Sequence, residues 1–241
     1  MAGTGSRLRG SADTIAKPLI PIAGRPLISY AIDSFDKVGV KILHAVVGPN
    51  GEELAAAVAP LLPSHIRFRP ISNPNWQKQN GVSLLTAAGK VSAPFFLAMG
   101  DHLFEASILP QLSAHADLGR LNLAIDQKIG SIFDLDDAMK VQTADNLIVA
   151  IGKNLETYNA IDTGIFLCPE IMFDYLRRAL KNDDCSLADG VRLMAADGKA
   201  RAIDIGEAWW QDVDTPEMLA WAEQEAERLS RSVQSAGGTT D

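Results

Sequence analysis

Apolar residues recur along this chain with two periods, and the two alternate. Leu27, Ile28, Ala31, Ile32, Phe35 and Val38 fall on one stripe at helical spacing, which predicts an amphipathic helix. The apolar run Ile42–Val47 reads as a strand and stops at the turn signal Gly48-Pro49-Asn50-Gly51. Residues 52–62 read as a helix, 66–71 as a strand and 82–88 as a helix. Pro94-Phe95-Phe96-Leu97-Ala98-Met99 is unbroken by polar residues, which suits a strand buried on both faces, as in a parallel sheet. This alternation predicts a βαβ-type α/β domain.

The pattern changes after Gly130. Residues 138–142 and 147–151 read as two strands joined by a turn at Ala144-Asp145-Asn146. Residues 161–167 form another strand candidate, and 169–181 and 186–196 read as helices. Thr215-Pro216 is a strong helix start, with Thr as N-cap and Pro at the first helical position. That helix is expected to run toward Arg231, leaving residues 232–241, small and polar, as a disordered tail. No repeat or linker divides residues 1–231, so a single domain is expected.

Length and charge narrow the classes. A chain of 241 residues can bury a substantial core. A net charge of −8 argues against a nucleic-acid coat, which needs a basic face. No apolar run approaches the roughly 18 residues of a membrane span, and no signal peptide is visible. Cys168 and Cys185 lack metal-site spacing, so a reducing, cytoplasmic setting is the default expectation.

Four segments carry candidate chemistry. Gly3-Thr4-Gly5-Ser6-Arg7 is a glycine loop, and Lys17 follows it by ten residues. Glycines let backbone amides approach an oxyanion, and the two cations suit a polyphosphate. The loop is not a P-loop, because no Gly-Lys-Ser/Thr follows, and Leu8 stands where a dinucleotide fingerprint needs its third glycine. Asp101, within Gly100-Asp101-His102, follows a strand candidate, where ligands of open α/β sheets bind. A carboxylate there suits Mg²⁺, although a turn-capping aspartate has the same signature. His102 contacts ligand or hydrogen-bonds locally, and the local role is favoured.

Asp212-Val213-Asp214-Thr215 precedes a helix N-terminus. Asp214 is therefore either a structural cap or the second half of a Mg²⁺ site with Asp101. Trp209 and Trp210 read as packing. Residues 77–85, with Asn80, Gly81 and Ser83, offer amides that can read a nucleobase edge, though a plain loop and N-cap explains them equally. No Ser-His-Asp or Cys-His pattern is present. Phosphoryl-type transfer needs no enzyme nucleophile, because positioning and charge neutralisation suffice.

In this order the segments resemble the sugar-nucleotide-type nucleotidyltransferases, which carry a glycine loop ending in Ser-Arg-Leu and then Lys-Pro-Leu. Within that family the closer resemblance is to the CTP:inositol-1-phosphate cytidylyltransferases. It is carried by Asn80-Gly81-Val82-Ser83-Leu84-Leu85, Met99-Gly100-Asp101-His102, Ile151-Gly152-Lys153, Ile161-Asp162-Thr163-Gly164 and Asp212-Val213-Asp214-Thr215. The resemblance implies a Rossmann-like, three-layer (GT-A-like) α/β fold with a mixed, mostly parallel sheet. It implies that Gly3, Thr4, Gly5, Ser6 and Arg7 hold the CTP phosphates, with Arg7 and Lys17 on the triphosphate. Asn80, Gly81 and Ser83 would lie near base and ribose, and Asp101 and Asp214 would hold Mg²⁺. Lys140 and Lys153 would meet the acceptor phosphate, while Asp162, Thr163 and Gly164 would line the polyol ring. Arg7, Lys17 and Asp101 would be the catalytic set.

Such an enzyme would join CTP to a small phosphorylated polyol in phospholipid biosynthesis. Its product would pass to a separate membrane CDP-alcohol phosphotransferase. Family members begin with a central strand ahead of the glycine loop, and Met1 falls within that stretch. A missing first strand, with the true start lying upstream, is therefore expected. Another acceptor (a sugar 1-phosphate, phosphocholine or an aminoalkylphosphonate) and a non-catalytic nucleotide-binding module are the competing readings.

Overall fold

The computed structural model describes residues 15–49 and 51–236, with side chains through residue 228. Lys17–Leu19 forms a 3-10 turn with Pro18 buried at its start. β1 (Pro21–Ile22) and β2 (Arg25–Pro26) follow as a hairpin, closed by Ala23 and Gly24 at φ 47° and 78°. Two left-handed residues match the twist of a two-residue hairpin. α1 (Leu27–Lys37) buries the expected stripe of Leu27, Ile28, Ala31, Ile32 and Phe35.

β3 (Ile42–Val47) and β4 (Arg67–Ser72) pair in parallel, with α2 (Gly51–Val58) between them in the chain. This is the βαβ unit read from the pattern. α2 is shorter than the expected 52–62 because the chain tightens into a 3-10 turn over Ala59–Leu61. Pro60 has no amide to continue the α-helical ladder. α3 (Asn80–Leu85) is similarly short.

β5 (Phe95–Ala98) is followed by β6 (His102–Phe104), α4 (Ile108–His115) and β7 (Leu121–Asp126). Then come β8 (Lys140–Ala144), β9 (Leu147–Gly152) and β10 (Ala160–Cys168). α5 (Met172–Ala179), α6 (Leu187–Ala196), β11 (Ala200–Asp204), β12 (Trp210–Asp212) and α7 (Pro216–Ala236) complete the chain. α7 continues to Ala236, past the expected end at Arg231.

The main sheet has strand order β5-β10-β7-β11-β9-β8, and β10 also reaches β8. It is mixed, as expected, and among the described strands the antiparallel pairs outnumber the parallel ones. Among the described residues β7–β11 and β3–β4 are the parallel pairs, while the nine-residue β10 runs antiparallel to β5, β7 and β8. β5 is likewise antiparallel to β10 and half-buried, not the doubly buried parallel strand its composition suggested. The strand buried along its whole length is β7. Asn122 and Asp126 interrupt its apolar run and hid it from the pattern.

The layers follow from strand alternation. Phe166 and Cys168 of β10 join the core beneath α3, α5 and α6. Ile165 and Leu167 join the opposite core with α1, α2 and α4. A third, smaller cluster gathers Ile22, Leu27, Leu103, Val213, Ala222 and Ala226, and docks α7 and the β1 hairpin against β6. Helices on both faces of a central sheet make the three-layer α/β arrangement.

Candidate active site

Two short strands bring the acidic residues together. β6 and β12 form an antiparallel ribbon in which Asp212 faces His102 and Gln211 faces Leu103. The ribbon is extended by the Val213 amide, which donates to the Asp101 carbonyl at 2.9 Å. Asp101 therefore stands at the start of one strand and Asp214 just past the end of its partner. Asp214 precedes Thr215, whose hydroxyl accepts from the Met218 amide at 3.2 Å, so the N-cap role belongs to Thr215.

Lys17 completes the cluster. Its ammonium lies 3.4 Å from Asp101 Oδ2 and also donates to Asp214 Oδ1. Two carboxylates from distant segments thus converge on one cation. Asp101 Oδ1 faces Nδ1 of His102 at 2.9 Å. Burial disfavours the Asp101 charge, but the His102 hydrogen bond and the charges of His102 and Lys17 outweigh it and hold the carboxyl below its usual range. Burial likewise pulls His102 down. The Asp101 hydrogen bond and the charges of Asp101, Asp212 and Asp162 overcome that and raise it.

A cleft of about 530 Å³ opens beside this cluster. Its lining includes Asn80, Met99, Asp101, His102, Lys153, Asp162, Gly164, Trp209, Trp210, Asp212 and Asp214. Asp162 Oδ1 accepts from the Gly164 amide at 2.7 Å. Burial pushes the Asp162 carboxyl up to about 6, against the Gly164 amide and the His102 charge. Gly164 has φ +73°, and a Cβ there would lie 2.7 Å from His102 Nε2. Glycine is thus required both by conformation and by space.

Several expected residues sit elsewhere or do something else. Gly3, Thr4, Gly5, Ser6 and Arg7 lie outside the described residues. Lys153 lines the cleft and pairs with Asp137. Lys140 does not line it. Its ammonium donates to the Asp136 and Lys153 carbonyls at 3.3 and 2.9 Å and lies over the Tyr158 ring. Thr163 turns into the sheet, fully buried, and donates to the Ala124 carbonyl at 2.7 Å. Ser83 accepts from Asn73 Nδ2 at 2.9 Å. Asn80 lines the cleft while its Oδ1 accepts from the Leu187 amide at 2.8 Å, at the start of α6. Gly81 serves packing, since a Cβ would meet the Cys185 carbonyl oxygen at 2.7 Å.

Sequence reasoning missed Asp126 and Lys128, and treated Trp210 as packing alone. Asp126 Oδ2 accepts from Trp210 Nε1 at 3.0 Å, and Oδ1 accepts from the Lys128 amide at 2.7 Å. The Lys128 ammonium pairs with Asp126 and donates to the Gly206 and Ala208 carbonyls, clasping the loop before Trp209. The usable signal was Asp126 at the carboxyl end of a buried strand, where open sheets place ligand sites. It went unread because β7 went unread.

For a metal, Asp101 and Asp214 are the hard-oxygen pair that already converges on a cation. Among the described residues no third His, Cys, Asp or Glu joins them in a metal-binding group. That donor set is compatible with Mg²⁺, which commonly takes one or two carboxylates and completes its shell with water and substrate phosphate.

Known proteins share this architecture. The bifunctional IPC transferase and DIPP synthase of Aquifex aeolicus is 31% identical over 216 residues, which covers 89% of this chain and 48% of the relative. Its counterpart from Rubrobacter xylanophilus is 32% identical over 226 residues, covering 92% and 50%. The chain therefore spans about half the length of the curated relatives it matches. The inositol-1-phosphate CTP transferase from T. maritima superposes with a TM-score of 0.80 at 26% identity, covering 92% of this chain and 93% of that one. An apo UDP-glucose pyrophosphorylase superposes with a TM-score of 0.77 at 17% identity, which shows a shared fold. The family model for the MobA-like NTP transferase domain matches residues 1–130, more than half of the sequence. With that match and the nucleotidyltransferase fold around the Asp101–Lys17–Asp214 cluster, the chain belongs to the MobA-like NTP transferase family.

Proposed function

We propose that this chain transfers CMP from CTP to inositol 1-phosphate, releasing CDP-inositol and pyrophosphate with Mg²⁺ as cofactor. The observation that carries the reading is the convergence of Asp101 and Asp214 on Lys17 at the wall of the cleft. The choice of acceptor is supported by the likeness to the T. maritima inositol-1-phosphate CTP transferase over nine-tenths of both chains.

In this reaction an oxygen of the acceptor phosphate attacks the α-phosphorus of CTP. A new P–O bond forms, and the bond from the α-phosphorus to the bridging oxygen breaks with departure of pyrophosphate. No covalent enzyme intermediate is needed, so the protein's work is alignment and charge compensation. Asp101 and Asp214 would hold Mg²⁺, which supplies Lewis-acid charge neutralisation to the phosphates when bound. Lys17 answers negative charge beside them, and the glycine loop with Arg7 would add amide and guanidinium donors. Lys153 is the better candidate for the acceptor phosphate, because the Lys140 ammonium is capped by two carbonyls away from the cleft. Asp162 and Trp209, both at the cleft, suit a hydroxyl-rich ring, which offers donors on its rim and C–H faces for stacking.

A cytoplasmic reaction is part of the same proposal, supported by two free, buried cysteines. Among the described residues no helix is long and apolar enough to cross a membrane. The product is the kind of activated polyol that a CDP-alcohol phosphotransferase in a membrane would consume.

The test is pyrophosphate release from CTP with Mg²⁺ and a panel of inositol 1-phosphate, glucose 1-phosphate, phosphocholine and 2-aminoethylphosphonate. Release is expected with inositol 1-phosphate above the others. Preference for another acceptor would overturn the substrate. CTP binding with no release from any acceptor would replace the enzyme by a nucleotide-binding module.

A further inference from the structure

We propose that Asp126, Trp210 and His102 form a brace that fixes the Asp101 carboxylate, making the three of them positioning residues for the transfer proposed above. The brace is a continuous line of contacts. Asp126 is 3% exposed, and its Oδ2 accepts from Trp210 Nε1 at 3.0 Å. The Trp210 ring stacks on the His102 imidazole, with centroids 5.8 Å apart and planes 22° apart. His102 Nδ1 meets Asp101 Oδ1 at 2.9 Å, while Asp101 Oδ2 faces Lys17. Each member thus locks the next.

His102 has nowhere to swing. Trp210 covers one face, and on the Nε2 side Gly164 leaves no room even for a methyl group. The ribbon register that sets Asp212 opposite His102 fixes the backbone beneath. The far end is anchored as firmly, because Asp126 Oδ1 takes both the amide and the ammonium of Lys128. Asp162 and Asp212 also face the imidazole but hold no hydrogen bond to it, so the Asp101 contact alone aims the ring.

The line explains residues that the chemistry alone leaves idle. A free aspartate samples several rotamers, and each places its two oxygens differently. With Oδ1 held by a ring that cannot turn, Oδ2 keeps one direction. Groups that orient a ligating or charge-bearing carboxylate in this way characteristically change activity by about 10–100-fold when removed. They act on the reacting geometry rather than on acceptor affinity.

The experiment compares His102→Phe, His102→Asn and Trp210→Phe in the full chain. His102→Phe keeps a ring against Trp210 and removes the Nδ1 donor. His102→Asn sets an amide nitrogen where Nδ1 stood. His102→Phe is expected to lower kcat by about 10–100-fold, with the acceptor KM changing by less than about threefold, and His102→Asn to recover most of the loss. Trp210→Phe keeps the stacking and cuts the tether to Asp126. Its effect should be smaller, and the double variant with His102→Phe should be no worse than His102→Phe alone. Equal losses in Phe and Asn variants, a change confined to KM, or fully additive losses would each overturn the brace. Unchanged unfolding midpoints confirm that the variants fold. A readout independent of turnover is ¹⁵N NMR of the histidine side chains, assigned by the signals lost in His102→Phe. A proton on Nδ1 of His102 at neutral pH is expected, and a bare Nδ1 would refute the donor role. If the intact chain releases no pyrophosphate with any acceptor, the transferase reading falls, and the NMR result still judges the brace.

Discussion

Replacing Lys17 by Met removes the ammonium between Asp101 and Asp214 and keeps most of the aliphatic stem. What remains is a pair of carboxylates without the Lys17 charge between them, close to Asp212. Breaking a fully buried ion pair costs about 3–5 kcal/mol, and an exposed pair is worth at most about 1 kcal/mol. Here the Lys17 side chain is 16% exposed, Asp101 33% and Asp214 22%, so the cluster lies between these limits. The expected loss is about 2 kcal/mol at pH 7, or a drop of about 4–8 °C in unfolding midpoint for a chain of this size. Its pH dependence has a definite sign. Asp101 titrates below the ordinary carboxylate range in the folded chain, so Lys17 stabilises above about pH 4 and loses its partner's charge as the pH falls further. The gap between parent and variant should be full at pH 7 and narrow toward pH 3. Mg²⁺ should raise the variant's midpoint more than the parent's, because a divalent cation relieves the same repulsion. The assay is thermal unfolding followed by circular dichroism across that pH range, with and without Mg²⁺. Equal midpoints at pH 7, or a gap that persists unchanged at pH 3, would refute the electrostatic account.

Lys17→Ala should reduce turnover more than CTP affinity, since a cation near the reacting phosphate matters most when charge develops; an effect seen only in CTP binding would contradict this. Asp101→Asn should lower pyrophosphate release by about 100-fold or more with the fold intact, and near-normal release would remove Asp101 from the metal site. Gly164→Ala must accept φ +73° and a Cβ 2.7 Å from His102 Nε2, so a loss of about 1–3 kcal/mol in denaturant unfolding is expected, together with reduced turnover; a neutral variant would show that His102 yields freely. Asp162→Asn should stabilise the chain above pH 6 and have no effect near pH 4: burial raises this carboxyl to about 6, so the folded state resists its ionisation as pH rises. Parent and variant midpoints that coincide at pH 8 would exclude that cost.

What was legible in the sequence was local. β3 spans the run that composition marked, and the β8–β9 turn falls at Asp145-Asn146, both with positive φ, the backbone such a hairpin demands. Thr215 caps α7 as its side chain predicts. That Asp101 and Asp214 stand near one another was foreshadowed by position, Asp101 lying just past the 94–99 apolar run and Asp214 just ahead of the Thr215-Pro216 helix start. The rest depends on partners far away in the chain. β5 looks like a parallel strand until β10 arrives beside it in the opposite sense. Lys140 and Lys153 look equivalent until the hairpin register sets Lys140 opposite Gly152 and its ammonium onto nearby carbonyls. Trp210 reads as filler until Asp126, 84 residues earlier, accepts a hydrogen bond from its indole N–H.

The β6–β12 ribbon also sets the order in which this protein can come into being. Lys17 meets Asp101 across 84 residues and Asp214 across 197. Among the described residues β12 is the last strand in chain order, with α7 after it. The described strands of the main sheet can all pair before β12 leaves the ribosome, because none of them belongs to the ribbon. A nascent chain can therefore be largely folded and still hold Asp101 without its counterpart. Such long-range closures are slow, because the loop entropy is lost before the contacts repay it. The meeting of Asp101 with Asp214 thus depends on the three-residue β12, which separates a paired main sheet from an assembled acidic cluster.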